Sequence, residues 1–116
     1  MKLYGIKNCD TVKKARAWLT ERGLSVPFHD FKSDGVTLTL IESWEKAVGW
    51  ETLVNRKGTT WRKLSEDTKN AIIDATAANR LIIENPSLIK RPVLELGGRV
   101  HLGFSIEIYE ELFKSV

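Results

Sequence analysis

A strand–helix–strand pattern in the first 31 residues constrains the fold of this chain more than any other feature. Residues 3–6 form a short apolar run typical of a buried strand, and residues 25–31 have the character of a second strand. Between them, apolar residues recur at helical spacing up to about residue 22: Val12, Ala15, Trp18 and Leu19. Two strands joined by one helix are expected to pair in parallel, through a right-handed crossover.

The end of the chain predicts two antiparallel strands followed by a helix. Residues 88–96 and 99–102 have strand character, and Pro92 interrupts the first of them. Gly97–Gly98 between them is typical of a two-residue hairpin turn. Ser105 is expected to cap the final helix.

The middle of the chain, at about residues 37–86, is dominated by helical patterns. A capping box opened by Thr39 predicts one helix, and residues 65–79 predict another. The four tryptophans of the chain are interpreted as core residues. The sequence therefore predicts one α/β domain over residues 1–116, in which β-α-β and β-β-α halves flank a helical insertion.

Composition narrows the classes of protein that this chain can represent. A single cysteine among 116 residues excludes an intrachain disulfide, which fits a reducing compartment, and we expect the cytoplasm. No apolar run approaches the roughly 20 residues that span a bilayer, so no membrane partner is expected. The net charge of +3 is mild and spread along the chain, which favours a small anionic ligand over a nucleic acid.

Cys9 is the residue best placed for chemistry. It lies between the first strand and the first helix, at the carboxyl end of a parallel strand, where α/β folds bind ligands. A helix N-terminus also stabilises a thiolate, and Lys7, Lys13 and Lys14 lie close in sequence. The alternative is a buried structural cysteine surrounded by solvated lysines, because free cysteines are often buried.

The single cysteine also limits the mechanism. Because no second thiol exists in the chain, a dithiol cycle is excluded. Any redox turnover must use one thiol and be completed by an outside thiol such as glutathione. No residue spacing typical of a metal site is present, and no tightly bound cofactor is expected.

Three segments of the chain together resemble one family. They are residues 4–15 (YGIKNCDTVKKA), 55–59 (NRKGT) and 89–94 (IKRPVL). In this order they resemble the active-site segment, the central arginine loop and the Arg-Pro strand of the ArsC/Spx/YffB family of arsenate reductase-like proteins. The resemblance implies a thioredoxin-like fold with a helical insertion. It is closest to the YffB-like proteins, which are proposed to be glutathione-dependent thiol reductases.

Carried over residue by residue, the resemblance assigns the nucleophile to Cys9 and two oxyanion-binding arginines to Arg56 and Arg91. The third arginine of the arsenate reductases falls on Phe104, so arsenate reduction is expected to be weak or absent. In the Spx regulators the redox switch is a Cys-x-x-Cys pair. Its second cysteine falls on Val12 here, so that switch is missing.

The resemblance also extends the candidate site around the cysteine. Pro92 matches the thioredoxin-fold proline, so we expect a cis Arg91–Pro92 bond that faces Cys9 and a backbone edge suited to glutathione. Arg56, Arg91 and Lys90 would offer positive charge to the glutathione carboxylates, although a solvated Lys90 is an equal alternative. The remaining candidates for binding substrate or glutathione follow Cys9 in sequence: Asp10, Thr11 and Lys13.

Asp10 and Thr11 could also have structural roles that involve no substrate. Either residue could cap the first helix, and the Thr11 hydroxyl could instead donate a hydrogen bond to the thiolate. The sequence does not separate these roles.

The function predicted from the sequence is that of a monothiol, glutathione-dependent thiol reductase, acting as a monomer in the bacterial cytoplasm. Its expected partners are glutathione, glutaredoxin and a small anionic or disulfide substrate. Two alternatives remain open at this point. One is an arsenate reductase with an incomplete set of arginines, and the other is an Spx-like, non-catalytic regulator that binds RNA polymerase.

Overall fold

A computed structural model describes residues 1–114 of the chain. Four strands and eight α-helices follow one another in the described residues, together with a short 3₁₀-helix at Pro86–Leu88. Their bounds are β1 (Lys2–Gly5), α1 (Asp10–Glu21), β2 (Phe28–Asp30), α2 (Phe31–Asp34), α3 (Leu38–Val48), α4 (Trp50–Leu53), α5 (Thr59–Arg62), α6 (Glu66–Asn70), α7 (Ala75–Glu84), β3 (Val93–Leu96), β4 (Arg99–Leu102) and α8 (Ile106–Phe113).

The chain forms two compact units. Residues 1–30 and 91–114 make up the first, which we call the sheet unit. Residues 31–90 make up the second, which we call the helical unit. None of the helices between residues 1 and 114 is long and apolar enough to cross a membrane.

The sheet unit is built on four strands in the order β2-β1-β3-β4. β1 and β2 pair in parallel, with Leu3 opposite Phe28, as expected for two strands joined by a helix. β3 pairs antiparallel with β1 and with β4, and Leu96 lies opposite Arg99 at the hairpin end. The predicted α/β class is therefore confirmed, with a β-α-β half and a β-β-α half around one sheet. The division into a single domain stays a prediction.

Aromatic side chains hold α1 and α8 in the core of the sheet unit. Tyr109 of α8 is fully buried, and its ring meets the Trp18 ring edge-on at a centroid distance of 5.6 Å. Phe113 completes the contact, with its ring 5.7 Å from that of Trp18. Edge-to-face pairs of this kind add about 0.5–1.5 kcal/mol to the gain from burial. The C-terminal half of α1, the helix that begins just after Cys9, is thus packed against α8.

A glycine allows α1 to begin close to the end of β1. A Cβ atom added at Gly5 would lie 2.7 Å from Cγ2 of Val12, which is fully buried. Such a contact is shorter than van der Waals packing permits, so any side chain at residue 5 would push the first turn of α1 away from the strand. Gly5 therefore fixes the position of the β1–α1 loop, which contains Cys9.

The bounds of β2 and of α3 both differ from the prediction. β2 covers three residues only, because Phe31 opens α2 and buries its ring. α3 begins at Leu38, so Thr39 lies inside the helix and Thr37 is the N-cap. The Thr37 Oγ1 accepts a hydrogen bond from the Leu40 N–H at 3.2 Å.

The helix predicted over residues 65–79 is broken in the structure. Ser65 caps α6, which ends at Asn70, and Asp74 then caps α7 by accepting a hydrogen bond from the Ala77 N–H at 2.9 Å. Ile73, which extends the apolar pattern across the break, is 77% exposed. The cap at Asp74 starts a new helix, and α7 continues past residue 79, where the sequence predicted a boundary.

Candidate active site

Cys9 lies in the loop between β1 and α1 and is itself the N-cap residue of α1. Its backbone is extended, its N–H donates to the Ile6 carbonyl at 3.0 Å, and its carbonyl accepts from the Lys13 N–H at 2.9 Å. The prediction that Asp10 or Thr11 caps α1 is wrong, because both residues already lie within the helix. The thiol is free and partly exposed, so the structure favours a reactive cysteine over a buried structural one.

Groups around the sulfur favour its ionised form. Partial burial raises the pKa of Cys9, but the backbone N–H of Val12 and the hydrogen bond and charge of Arg91 lower it, helped by the N–H of Thr11. The lowering contributions prevail, so the pKa of Cys9 lies below its ordinary value. The Cys9 side chain does not cap α1 with a hydrogen bond, as a serine or aspartate N-cap would. Its position at the helix N-terminus nevertheless stabilises a thiolate.

Arg91 is brought to Cys9 by the start of β3. The two residues are 82 positions apart in sequence, and the Arg91 guanidinium lies close enough to the Cys9 sulfur to lower the pKa of the thiol by hydrogen bonding and by its charge. The Arg91–Pro92 peptide bond is cis, which confirms the prediction. Pro92 is fully buried, and its carbonyl accepts a hydrogen bond from the Gly103 N–H at 2.9 Å. Arg91 therefore projects from a segment that is held by both the sheet and the loop after β4.

The other candidates near Cys9 lie at the surface. Lys7, Lys13 and Asp10 are exposed, and no ion pair involving them is formed within the described part of the chain. Thr11 contributes to the pKa of Cys9 through its backbone N–H and not through its hydroxyl. Lys13 lies in α1 near its start and Lys7 in the loop before it, so both add positive charge near the N-terminus of the helix, where an anionic ligand would be stabilised.

Arg56 and Lys90 belong to the helical unit. Lys90 is exposed, and its backbone N–H donates to the Leu53 carbonyl at 2.9 Å. Arg56 is exposed in the loop between α4 and α5, and its guanidinium carbon lies 5.8 Å from the Trp50 ring centroid and 5.6 Å from that of Trp61. The contact of either residue with a substrate stays a prediction.

The interpretation of all four tryptophans as core residues is wrong for two of them. Trp18 and Trp44 are buried, whereas Trp50 and Trp61 are partly exposed and contact Arg56. Helical spacing marks a residue as facing the core, but α4 and α5 have only four residues each and show no such face. The only signal in the sequence is the placement of an arginine between two tryptophans.

Phe104 occupies a packed position after β4. Its ring meets the Tyr109 ring edge-on at a centroid distance of 4.7 Å, and the side chain packs against the aromatic core of the sheet unit. The Phe104 side chain adds to the core and has no hydrogen-bond donor for an oxyanion. Within residues 1–114, no group of three or more His, Cys, Asp and Glu side chains could hold a metal ion.

The chain is similar to a known family along nearly its whole length. The model of the ArsC family matches residues 4–112. The solved structure of the YFFB protein is 49% identical, with a TM-score of 0.88, and the match covers 95% of this chain and 96% of that one. An arsenate reductase (ArsC) related protein from Brucella melitensis is 47% identical, with a TM-score of 0.77, over 98% and 96% of the two chains.

A transcription regulator is a more distant relative. The global transcriptional regulator Spx of Streptococcus agalactiae is 26% identical over 107 residues, which cover 89% of this chain and 75% of that protein. Val12, three residues after Cys9 in this chain, is fully buried.

Proposed function

The chain belongs to the ArsC family, and on that premise we propose that it is a monothiol reductase that uses Cys9 as nucleophile and glutathione as electron donor. The observation that carries the proposal is the position of the Cys9 thiol at the N-terminus of α1, beside the Arg91 guanidinium, which lowers the pKa of the thiol. A lowered pKa gives more thiolate at neutral pH, and the thiolate is the nucleophile in disulfide exchange.

The proposed reaction balances with one cysteine. The Cys9 thiolate attacks the glutathione sulfur of a mixed disulfide R–S–S–G, the sulfur–sulfur bond breaks, and R–S⁻ leaves and takes a proton from solvent. A glutathione thiolate then attacks the glutathione sulfur of the Cys9–S–S–G intermediate and releases oxidised glutathione and the Cys9 thiolate. The net reaction converts R–S–S–G and one glutathione into R–SH and oxidised glutathione, so no second protein thiol is required.

Arg91 assists both steps of this reaction. In the first step its charge increases the fraction of Cys9 that is ionised. In the second step Cys9 is the leaving group, and a thiol with a lower pKa leaves faster. One guanidinium beside the sulfur therefore favours both formation and resolution of the mixed disulfide.

Positive charge near the thiol supports glutathione as the co-substrate. Arg91, Lys7 and Lys13 lie in the sheet unit with Cys9, and glutathione carries two carboxylates. Surface charges contribute modestly and are screened by salt, so weak binding is expected. Arg56 and Lys90 are proposed as further contacts for an anionic group of the substrate. Because the cycle consumes reduced glutathione, we propose that the protein acts in the cytoplasm. Because one chain supplies the only protein thiol that the cycle needs, we propose that it acts as a monomer.

Glutathione is expected to bind at a defined site, which an NMR titration with reduced glutathione tests. Chemical-shift changes should saturate and cluster on residues 9–12 and on Arg91. An Arg91→Ala variant should bind more weakly at unchanged thermal stability, whereas Arg99→Ala, which removes an exposed arginine on β4, should bind as the wild type does. Linear shifts scattered over the surface and unaffected by Arg91→Ala would leave only a nonspecific thiol.

An Spx-like regulator is the second candidate, because Spx is a relative over 89% of this chain. The buried Val12 removes the cysteine pair on which the Spx switch depends. Stoichiometric capture of RNA polymerase without glutathione turnover would favour the regulator. Turnover without capture would favour the reductase.

A further inference from the structure

We propose that Trp50 and Trp61 are positioning residues that hold the Arg56 guanidinium in place for a carboxylate or another small oxyanion of the substrate. The inference rests on the proposed function, in which Arg56 contacts an anionic group. The two indole rings come from different elements, α4 and α5, on either side of the Arg56 loop. Both ring centroids lie within 6 Å of the guanidinium carbon, at 5.8 and 5.6 Å, which is the range of cation–π attraction.

The loop that carries Arg56 is held by its backbone. The Asn55 N–H donates to the Leu88 carbonyl at 2.7 Å, next to a β-bridge between Val54 and Ile89. The Asn55 Oδ1 accepts a hydrogen bond from the Lys57 N–H, two residues further along the chain, at 3.2 Å. Arg56 thus lies between two residues whose backbone N–H groups are hydrogen-bonded. When Arg56 binds a ligand, the entropy loss should therefore come mainly from its side chain.

Close packing at the end of the loop supports the same interpretation. A Cβ atom at Gly58 would lie 2.8 Å from Nδ2 of Asn55, the same side chain that holds Lys57. Glycine permits this approach, and α5 with Trp61 begins at the next residue. The loop therefore fixes the start of α5, the helix that carries Trp61, close to Arg56.

The hydrogen-bond donors of Arg56 are available for a ligand. Arg22 offers a contrast: its guanidinium stacks 4.2 Å from the Trp18 ring centroid, but it is paired to Glu110 at 3.0 Å. Across residues 1–114, Arg56 has ring contacts but no carboxylate within ion-pair distance. A ring face engages the positive charge without supplying an oxygen acceptor, so the planar fork can still bind an anion in bidentate fashion.

Fixing the side chain before binding should increase affinity. An exposed arginine loses rotamer freedom when it binds an anion, and this loss lowers the affinity. The two indole contacts restrict Arg56 before the ligand arrives. Each exposed cation–π contact is expected to change the affinity by about two- to fivefold.

The test uses sodium sulfate as the probe, titrated at constant ionic strength against sodium chloride. Binding is followed by the NMR signals of the Arg56 Nε–H and of the indole N–H groups, and the buried Trp18 and Trp44 serve as internal controls. The wild type should saturate, with shifts at Trp50 and Trp61. Trp50→Leu and Trp61→Leu should each weaken sulfate binding by about two- to fivefold, and Trp61→Phe, which keeps an aromatic face, should restore most of it.

A second measurement separates positioning from stability. The ¹⁵N relaxation of the Arg56 Nε–H should report a restricted side chain in the wild type and a mobile one in Trp61→Leu, with the exposed Arg99 as the mobile reference. The proposal is overturned if wild-type Arg56 is as mobile as Arg99, if the wild type shows no saturable sulfate binding, or if the leucine variants bind sulfate as tightly as the wild type. Because Cys9 takes no part in these readouts, a failure of the reductase proposal would leave them unchanged.

Discussion

Arsenate turnover by this protein is expected to be roughly one to two powers of ten below that of a relative with all three arginines. By the resemblance to the arsenate reductases, Phe104 falls at the position of their third arginine, and its ring packs edge-on against Tyr109. A charged hydrogen bond contributes about 1.5–3 kcal/mol, and phenylalanine supplies none to the oxyanion. Turnover with arsenate, glutathione and glutaredoxin provides the measurement.

Substituting Phe104 tests the assignment of this position. Phe104→Arg should raise arsenate turnover and, because it loses the contact with Tyr109, should lower stability by about 1–3 kcal/mol. Phe104→Leu is the matched control, since it loses the aromatic contact without adding a charge, and it should leave arsenate turnover low. Strong arsenate turnover by the unmodified protein would contradict the role given to Phe104.

Arg91→Gln is expected to raise the pKa of Cys9 and to slow its reaction with disulfides at neutral pH by about three- to tenfold. The sign follows from the charge: without the guanidinium, the thiolate loses a hydrogen bond and a favourable charge, so it protonates at higher pH. The higher intrinsic nucleophilicity of the less acidic thiol offsets part of the loss, which limits the effect. Glutamine keeps the Cβ, Cγ and Cδ positions and a polar end without the charge, so the segment before β3 should fold as in the wild type.

The titration of the Cys9 thiolate by its ultraviolet absorbance measures this shift, with Cys9→Ser as the blank. Arg99→Gln is the matched control, because it changes the net charge equally at an exposed residue of the same sheet. The midpoint should lie below that of a free cysteine in the wild type and in Arg99→Gln, and should move up in Arg91→Gln. Equal midpoints in all three proteins would contradict the claim that Arg91 lowers the pKa of Cys9.

Local patterns predicted the sheet unit well. The helix between β1 and β2 and the hairpin at Gly97–Gly98 follow from spacing and turn residues that lie close together in sequence. The N-cap of α1 was missed because cysteine is not among the residues that commonly cap helices. The break before α7 was missed because Ile73 continues an apolar pattern while its side chain faces solvent.

The candidate site depended on contacts between distant parts of the chain. Nothing in local spacing brings Arg91 to Cys9, and only the resemblance to the family indicated that pair. The association of Arg56 with Trp50 and Trp61 was not predicted, because short helices have no periodicity from which to infer exposure. Sequence alone therefore identified the thiol, whereas the groups around the thiol and around Arg56 required the fold.

The most direct test of the central claim is the steady-state reduction of hydroxyethyl disulfide by glutathione, measured with the wild type and with Cys9→Ser. The wild type should accelerate the reaction in proportion to its concentration, and mass spectrometry of the quenched mixture should find one glutathione joined to Cys9. Cys9→Ser should fall to the uncatalysed rate, because the chain contains no other thiol. A wild-type rate equal to the uncatalysed rate, or an unchanged rate in Cys9→Ser, would contradict the assignment of this protein as a monothiol reductase.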